Sequence, residues 1–203
     1  MFSIAIRGFG SSIAREFSIL YPSEEVFQIS RGQTPPFDIR RYLICQGILY
    51  GKKRTDMSAD EIFDTYQVNC HQMVDMCEKI LENNDRARIC VMGSESGFSG
   101  SYDECYADAK NILHHYVETT VIKPEQQLVC VAPTIIEDSG MTIRRTDSDN
   151  LNNKRRGHPK GRFLASREVA RMIHFLLYED EGYTTGTIIR MHGGMKKNDR
   201  HRL

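Results

Sequence analysis

Tyr106 and Lys110 are the residues whose types and spacing most directly indicate chemistry, and Ser94 precedes the tyrosine by twelve positions. Side chains four positions apart lie on one face of an α-helix, so the phenol and the ammonium would be neighbours. A positive charge beside a phenol stabilises the phenolate and lowers a pKa that is ordinarily about 10. We therefore expect Tyr106 to give or take a proton near neutral pH. The alternative is a chance tyrosine–lysine pair on an exposed helix.

Short β-branched runs alternate with amphipathic stretches along the chain, a pattern typical of a parallel sheet covered by helices. The predicted strands are Phe2–Ile6, Glu25–Ile29, Tyr42–Cys45, Arg88–Met92, Gln127–Val131 and Thr187–Met191. The predicted helices are Ser11–Leu20, Ala59–Asn83, Tyr102–Val121 and Ser166–Tyr178. We predict an α/β fold, a single Rossmann-type doubly wound parallel sheet of about six strands flanked by helices, in one domain over residues 1–203.

These elements would bring the candidate residues to one edge of the sheet. The strand Arg88–Met92 leads directly into Gly93-Ser94-Glu95-Ser96-Gly97, and Tyr106 follows where the next helix begins. Arg7-Gly8-Phe9-Gly10 joins the first strand to the first helix. Glycines at this turn let the backbone approach a pyrophosphate, whose charge favours the helix N-terminus.

Together these features resemble the short-chain dehydrogenase/reductase family, from Ile4 to Gly194. The resemblance depends above all on Ser94, Tyr106 and Lys110 in combination. Flanking elements fall in the order and approximate spacing of the family: Asn69 inside a helix, Cys130-Val131-Ala132-Pro133 at a strand end, and Met191-His192-Gly193-Gly194 at the last strand.

The resemblance implies roles for four catalytic residues. Tyr106 would protonate a carbonyl oxygen or deprotonate an alcohol, and Lys110 would lower the phenol pKa and bind the nicotinamide ribose. Ser94 would hold the substrate oxygen, with Ser96 as a possible substitute. Asn69 matches the helix asparagine that anchors a water leading protons to the lysine. The alternative for Asn69 is an asparagine on a helix surface.

The resemblance also implies a dinucleotide cofactor. The residues expected to bind it are Arg7, Gly8, Phe9, Gly10, Ser30, Arg31, Gly47, Tyr106, Lys110 and Pro133. An acidic residue at the end of the second strand would select NAD(H), but this chain has Ser30-Arg31 there. Arg31 and Arg7 would suit a 2′-phosphate, because guanidinium groups pair bidentately with such anions. We expect NADP(H) rather than NAD(H), unless both arginines are solvated surface residues.

Several departures mark this chain as a trimmed member with a shortened glycine-rich loop. The Thr-Gly and further residues that the family has before Gly8 are missing, and residues 43–47 keep only the glycine of Asn-Asn-Ala-Gly. Pro133 is followed by Thr134 instead of the usual glycine, and the sheet should be one strand short.

These features predict an NADP(H)-dependent oxidoreductase that reduces a carbonyl or oxidises an alcohol. One alternative is a non-catalytic dinucleotide sensor or interaction module of the same fold. The other is an epimerase or dehydratase that returns the hydride to its substrate.

Residues 137–163 show no clear periodicity and are too long for a simple connector, so we expect a substrate loop, a lid or a disordered segment. They carry seven basic residues: Arg144, Arg145, Lys154, Arg155, Arg156, Lys160 and Arg162. This charge would draw an anionic group on a small carbonyl or alcohol substrate, such as a phosphate, a nucleotide-sugar or an acyl-carrier protein. The alternative is a mobile, solvated loop.

The composition argues against other classes of protein. Lys and Arg number 27 and Asp and Glu number 27, so no overall charge favours nucleic acid or a membrane surface. No apolar run approaches the ~20 residues of a membrane helix, and the N-terminus resembles a strand, not a signal peptide, so we expect the cytoplasm. Six scattered cysteines are expected to be reduced and mostly buried, and no metal site is expected.

The helix Ala59–Asn83 carries more apolar residues than one buried stripe requires: Ile62, Tyr66, Val68, Met73, Met76, Cys77 and Ile80. In the family, the helices that carry Asn69 and Tyr106 usually pack across a two-fold axis. The resemblance therefore implies a homodimer or homotetramer. The alternative is that all of these side chains face the sheet.

Overall fold

A computed structural model of the chain describes residues 2–195 and contains, in that range, one sheet of six parallel strands. The strands are β1 (Ile4–Arg7), β2 (Val26–Ile29), β3 (Arg41–Ile44), β4 (Arg88–Met92), β5 (Gln127–Pro133) and β6 (Thr187–Met191). Their order across the sheet is β2-β1-β3-β4-β5-β6. Met1 and residues 196–203, which belong to the predicted domain, lie outside the described residues.

Helices cover both faces of the sheet and connect its strands, except that no helix lies in the described chain between β2 and β3. They are α1 (Ser12–Leu20), α2 (Ala59–Tyr66), α3 (Gln72–Asn83), α4 (Ser96–Ser99), α5 (Glu104–Thr119), α6 (Gly140–Ile143), α7 (Ser148–Gly157) and α8 (Ser166–His174). A π-helical turn, Gln67–His71, joins α2 to α3, and a second one, Phe175–Glu179, follows α8. A 3-10 turn, Arg54–Asp56, precedes α2.

The alternation of side chains along β4 shows how one strand serves two cores. Ile89 and Val91 pack in a cluster with side chains of α3 and α5, whereas Cys90 and Met92 pack in a second cluster with α1 and α8. Successive strand residues point to opposite faces, so a strand that is covered on both sides is apolar throughout. The predicted doubly wound α/β sheet of about six strands is confirmed.

The strand order reverses beside β1, which has β2 on one side and β3 on the other. The connections that leave β1 and β3 therefore diverge to opposite faces of the sheet. In open parallel sheets such a switch point opens a crevice at the carboxyl ends of the strands, where ligands bind.

The segment 137–163 begins and ends beside the carboxyl end of β5. Ile136 pairs with Leu164, and the Glu137 N–H donates to the Leu164 carbonyl over 2.8 Å. Between these points the chain forms α6 and α7, two helices that the sequence pattern did not predict. Residues of α7 are exposed or half-buried, so the apolar periodicity that would have revealed the helix is missing.

The turn from β1 to α1 depends on Gly8. Its φ is +89°, a conformation that side chains rarely adopt, and a β-carbon there would lie 2.5 Å from the backbone nitrogen of Gln46. At Gly10 the φ is not positive, and a β-carbon would meet no heavy atom within 4 Å. The two glycines therefore serve different purposes.

We predict that Gly8→Ala lowers the free energy of unfolding by roughly 1–3 kcal/mol or more, because it combines backbone strain with a clash. Gly10→Ala is the matched control and should change it by no more than about 0.5 kcal/mol. Urea unfolding followed by circular dichroism measures both. Equal losses in the two variants would contradict this account of the turn.

Candidate active site

A large cleft opens at the carboxyl ends of the strands, with a volume of about 1620 Å³. This exceeds the ~300–1,000 Å³ of a typical small-molecule pocket. Seven predicted site residues line it: Gly8, Gly10, Gly47, Ser94, Tyr106, Lys110 and Pro133. Five others do not line it: Arg7, Phe9, Ser30, Arg31 and Asn69. The cleft therefore brings most of the predicted residues together.

Tyr106 sits in the first turn of α5, which Asp103 caps. One carboxylate oxygen of Asp103 accepts the Tyr106 N–H over 3.0 Å, and the other accepts the Gly51 N–H over 3.1 Å. Asp103 is almost fully buried. This one side chain therefore sets the start of the helix and ties it to the loop that follows β3.

Lys110 lies one helical turn further along α5 and is 2 % exposed. Its Nζ donates to the carbonyl oxygen of Met92, at the end of β4, over 2.8 Å. Burial lowers the pKa of this ammonium to about 8. A lysine with this pKa changes charge close to neutral pH.

The prediction that Lys110 lowers the pKa of Tyr106 is wrong for this structure. Burial raises the pKa of the phenol, the charge of Asp103 raises it further, and the Ser94 side chain lowers it in part. The Lys110 Nζ is 6.0 Å from the centre of the tyrosine ring and is bound to the Met92 carbonyl. Desolvation is the largest effect on the Tyr106 pKa, and the Lys110 charge is not among the interactions that shift it, so the phenol keeps its proton.

Ser94 is the serine whose side chain acts on the phenol. It lowers the Tyr106 pKa in part, and its Oγ accepts the Ser96 N–H over 3.2 Å. Ser96 also lines the cleft, at the start of α4. Of the two predicted candidates, the geometry favours Ser94.

Asn69 is fully buried within the π-helical turn Gln67–His71, so the alternative of a surface asparagine is wrong. Its Oδ1 accepts the Ile48 N–H over 3.0 Å, and its Nδ2 donates to the carbonyls of Ile48 and Thr65 over 3.0 and 2.9 Å. These bonds hold the segment after Gly47 against the helix. Turns of the π type often mark functional positions in helices.

The glycine turn offers a seat for a pyrophosphate. The open space at Gly10 faces the cleft, just before the N-terminus of α1, where the Ser11 side chain accepts the Ala14 N–H over 3.2 Å. A helix N-terminus and exposed backbone N–H groups favour an anion. The residues present therefore fit a dinucleotide phosphate despite the shortened loop. Phe9 instead packs against the hydrophobic core beside α1.

Arg7 and Arg31 lie close together at the carboxyl ends of β1 and β2. Arg7 donates to the Gln46 side chain over 2.6 Å and to the Ile29 carbonyl over 3.2 Å. Burial lowers the pKa of Arg7, and the charge of Arg31 lowers it further. Arg31 is exposed, in the turn after Ser30. Two guanidinium groups thus concentrate positive charge beside the cleft.

Five of the seven basic residues of segment 137–163 fall into two groups. Arg144, Arg145 and Lys154 line the cleft, although Arg145 forms a bidentate pair with Asp147. Arg155 and Arg162 instead bind Glu137 and Glu168. Only part of the charge that the sequence places in this segment is therefore available to a ligand in the cleft.

His114 is a buried site residue that the sequence analysis did not identify. Its Nε2 accepts the Ser94 N–H over 3.3 Å. Burial, the charge of Lys110 and the charge of Arg190 lower its pKa to about 4, so the ring is neutral near pH 7. Its position four residues after Lys110 predicts the same face of α5, and this spacing could have found it.

Other predicted features concern the whole molecule. All six cysteines are free and buried. Within residues 2–195, no three His, Cys, Asp or Glu side chains group as metal ligands would, and the absence of a metal stays a prediction. Among the same residues, no helix combines the length and apolar character needed to cross a bilayer.

Comparison with known families assigns the chain. Residues 41–196, well over half of the 203, match the profile of a family described as Enoyl-(Acyl carrier protein) reductase. The chain belongs to the short-chain dehydrogenase/reductase family. The resemblance inferred from Ser94, Tyr106 and Lys110 is thereby confirmed, and the family is one of oxidoreductase enzymes.

Curated relatives within this family include two enzymes named 3-oxoacyl-[acyl-carrier-protein] reductase FabG. The protein from Chlamydia trachomatis serovar D is 29% identical over 147 residues, and that from Pseudomonas aeruginosa is 27% identical over 147 residues. Each match covers 68% of this chain and 58% of the relative. The chain thus matches little more than half the length of these relatives.

Several solved structures share the fold of this chain at low sequence identity. Levodione reductase superposes with a TM-score of 0.81 at 18% identity, over 96% of this chain and 98% of that one. Ligand-free aldohexose dehydrogenase from Thermoplasma acidophilum gives 0.79 at 16%, over 95% and 93%. A tyrosine-to-phenylalanine variant of ElxO with NADPH bound gives 0.78 at 17%, over 96% and 98%.

Proposed function

We propose that the chain binds NADP(H) in the cleft and reduces a carbonyl group, or oxidises the corresponding alcohol. One observation carries the proposal: Tyr106, Ser94 and Lys110 meet in the cleft that the glycine turn also lines. A proton donor in the same cleft as a phosphate-binding turn is what hydride chemistry on a carbonyl requires. A sensor that binds only a nucleotide would need no such donor.

The cofactor would lie across the switch point of the sheet. The turn through Gly8 and Gly10 and the N-terminus of α1 would hold the pyrophosphate. Gly47 and Pro133 would line the part of the cleft that leads to Lys110. Lys110 would bind the ribose next to the nicotinamide. When bound, NADPH supplies the hydride for the carbonyl carbon.

The residues of the chain manage the proton and the orientation of the substrate. Tyr106, whose raised pKa keeps the phenol protonated, would donate its proton to the carbonyl oxygen. Ser94 would hold the same oxygen by a hydrogen bond. Lys110, with a pKa of about 8, would stabilise the phenolate that forms when Tyr106 gives up its proton. Asn69 would hold the adjoining loop against its helix, in the arrangement needed for a proton to return to the site.

Tyr106→Phe keeps the ring and removes the proton donor. General acid catalysis typically contributes ~10²–10⁴ in rate, so kcat should fall by that factor while the Kd for NADPH barely changes. Steady-state NADPH oxidation and calorimetric binding measure the two. Tyr183→Phe makes the same change at a 98 % exposed position and is the control. Wild-type turnover in Tyr106→Phe would refute the catalytic role.

The same variant separates the alternatives. A non-catalytic sensor has no turnover to lose, and Tyr106→Phe would leave NADPH binding and every other property intact. A wild-type epimerase or dehydratase would convert its substrate without net oxidation of NADPH. Tyr106→Phe would then lose that conversion.

NADP(H) is the proposed cofactor because Arg7 and Arg31 stand together beside the cleft. A charge-assisted hydrogen bond to a phosphate is worth roughly 1.5–3 kcal/mol, enough for about ten- to hundredfold discrimination. The carboxylate that would favour NAD(H) is not found at the end of β2, where the chain continues as Ser30-Arg31.

We predict that NADPH binds more tightly than NADH and that Arg31→Asp removes most of the difference. Arg40→Asp is the matched control. Arg40 is also exposed, but it precedes β3 and so lies at the amino ends of the strands, away from the cleft. Competition titrations monitored by protein fluorescence give both affinities. Equal affinities for the two cofactors in the wild-type protein would show that the arginines are merely solvated.

The substrate should carry an anionic group, and segment 137–163 should act as the substrate loop. Arg144 and Lys154 line the cleft, and the Lys154 pKa is lowered by burial and by the nearby charge of Arg145. A partly buried lysine beside another cation is an arrangement that an anion would stabilise. The similarity to 3-oxoacyl-[acyl-carrier-protein] reductases favours a 3-oxoacyl thioester as the substrate.

Replacing Arg144 and Lys154 by Ala should raise KM about tenfold or more for a 3-oxoacyl-coenzyme A thioester, because phosphate pairing is lost. The KM for a neutral N-acetylcysteamine thioester should not change. Arg155→Ala with Arg156→Ala is the control, since these residues do not line the cleft. Equal effects on the charged and the neutral thioester would rule out an anion subsite.

Self-association stays a prediction. Met73, Cys77 and Ile80 are buried in the chain's own core, so part of the apolar surplus of the long helix faces the sheet. Phe63 on α2 and Ile112 on α5 remain exposed. We propose the outer face of α2 and α5 as the surface for a homodimer or homotetramer.

A further inference from the structure

The loop that carries Ser94 packs directly against His114 of α5. The Ser94 N–H donates to the His114 Nε2 over 3.3 Å in a buried contact. Gly93 and Gly97 flank the serine, and both lie against the imidazole. A β-carbon at Gly93 would overlap the ring, and one at Gly97 would lie 2.6 Å from its Cε1. The two glycines therefore let the loop close around the histidine.

The far side of the same loop is held by an ion pair and by ring contacts. Glu95 is 5 % exposed and binds Arg190 of β6 through both carboxylate oxygens. Phe98 stacks on the His114 ring, with centroids 4.6 Å apart, and the Arg190 guanidinium lies 4.3 Å from the Phe98 ring centre. The loop from Gly93 to Phe98 is thus fixed between α5 and β6.

We propose that His114 is a positioning residue that fixes the Ser94 backbone, and through it the hydroxyl that contacts Tyr106. This inference rests on the proposed function for its catalytic consequence, but not for the contact itself. The ring must be neutral for Nε2 to accept a hydrogen bond from the amide N–H. Burial and the charges of Lys110 and Arg190 keep it neutral, because they lower the His114 pKa to about 4.

The variants separate the acceptor from the bulk of the ring. His114→Phe keeps an aromatic ring against Phe98 and removes the acceptor, whereas His114→Gln loses the ring but places an amide oxygen within similar reach of Ser94. His115→Phe makes the same aromatic replacement on the next, exposed residue of α5 and is the control. If His114→Phe does not fold, His114→Leu beside His114→Gln gives the same comparison.

The first measurement is native-state hydrogen exchange of the Ser94 amide by NMR, which needs no substrate. Loss of a buried hydrogen bond should speed this exchange about tenfold in His114→Phe, with little change in His114→Gln or His115→Phe. Unchanged exchange in His114→Phe, or equally fast exchange in His114→Gln, would overturn the proposal.

The second measurement is kcat for 3-oxoacyl thioester reduction, with the Kd for NADPH. His114→Phe should lower kcat about tenfold and leave the Kd unchanged, and the loss should largely vanish in a Ser94→Ala background. An equal loss without the serine hydroxyl would show that His114 does not act through it. Wild-type protein without turnover but with the expected exchange pattern would refute the proposed function and leave the Ser94–His114 contact standing.

Discussion

The burial of Lys110 is the constraint on which the site depends. Its ammonium is 2 % exposed, and its strong hydrogen bond goes to the Met92 carbonyl at the carboxyl end of β4. Charged groups are costly to remove from water, and the lowered pKa of about 8 expresses that cost. An apolar residue would suit the fold better there. Buried charges that weaken a fold are found where activity requires them.

The bond between Lys110 and Met92 also sets the geometry around it. It ties α5 to the end of β4, so that Tyr106, one turn earlier, faces the loop that leaves the same strand and carries Ser94. The neighbouring strand β3 ends beside the glycine turn of β1, where the order of the sheet reverses. The proton donor and the anion seat therefore occupy one cleft because the sheet is parallel and its strands end at one edge.

Much of this could be predicted because it is local. The strands Arg88–Met92 and Thr187–Met191 match the predicted bounds, since apolar runs between turns mark them clearly. The polar helix α7 lacks an apolar stripe and was missed. The raised pKa of Tyr106 could not be foreseen, because the burial of the phenol is a tertiary effect. The support of Ser94 by His114 likewise depends on how α5 meets a distant loop, although the spacing from Lys110 was visible.

The most direct test of the central claim is the free energy of unfolding of Lys110→Met at pH 7, measured with urea beside NADPH-dependent turnover. If the ammonium is kept for function, the variant should be more stable by about 2 kcal/mol and should lose turnover. The Lys110 pKa of about 8 in the folded state lies below its value in the unfolded chain. The gain in the free energy of unfolding of Lys110→Met is therefore full below pH 8 and shrinks as the pH rises toward ~10.4. A Lys110→Met protein that is less stable than wild type, or that turns over NADPH normally, would contradict the account.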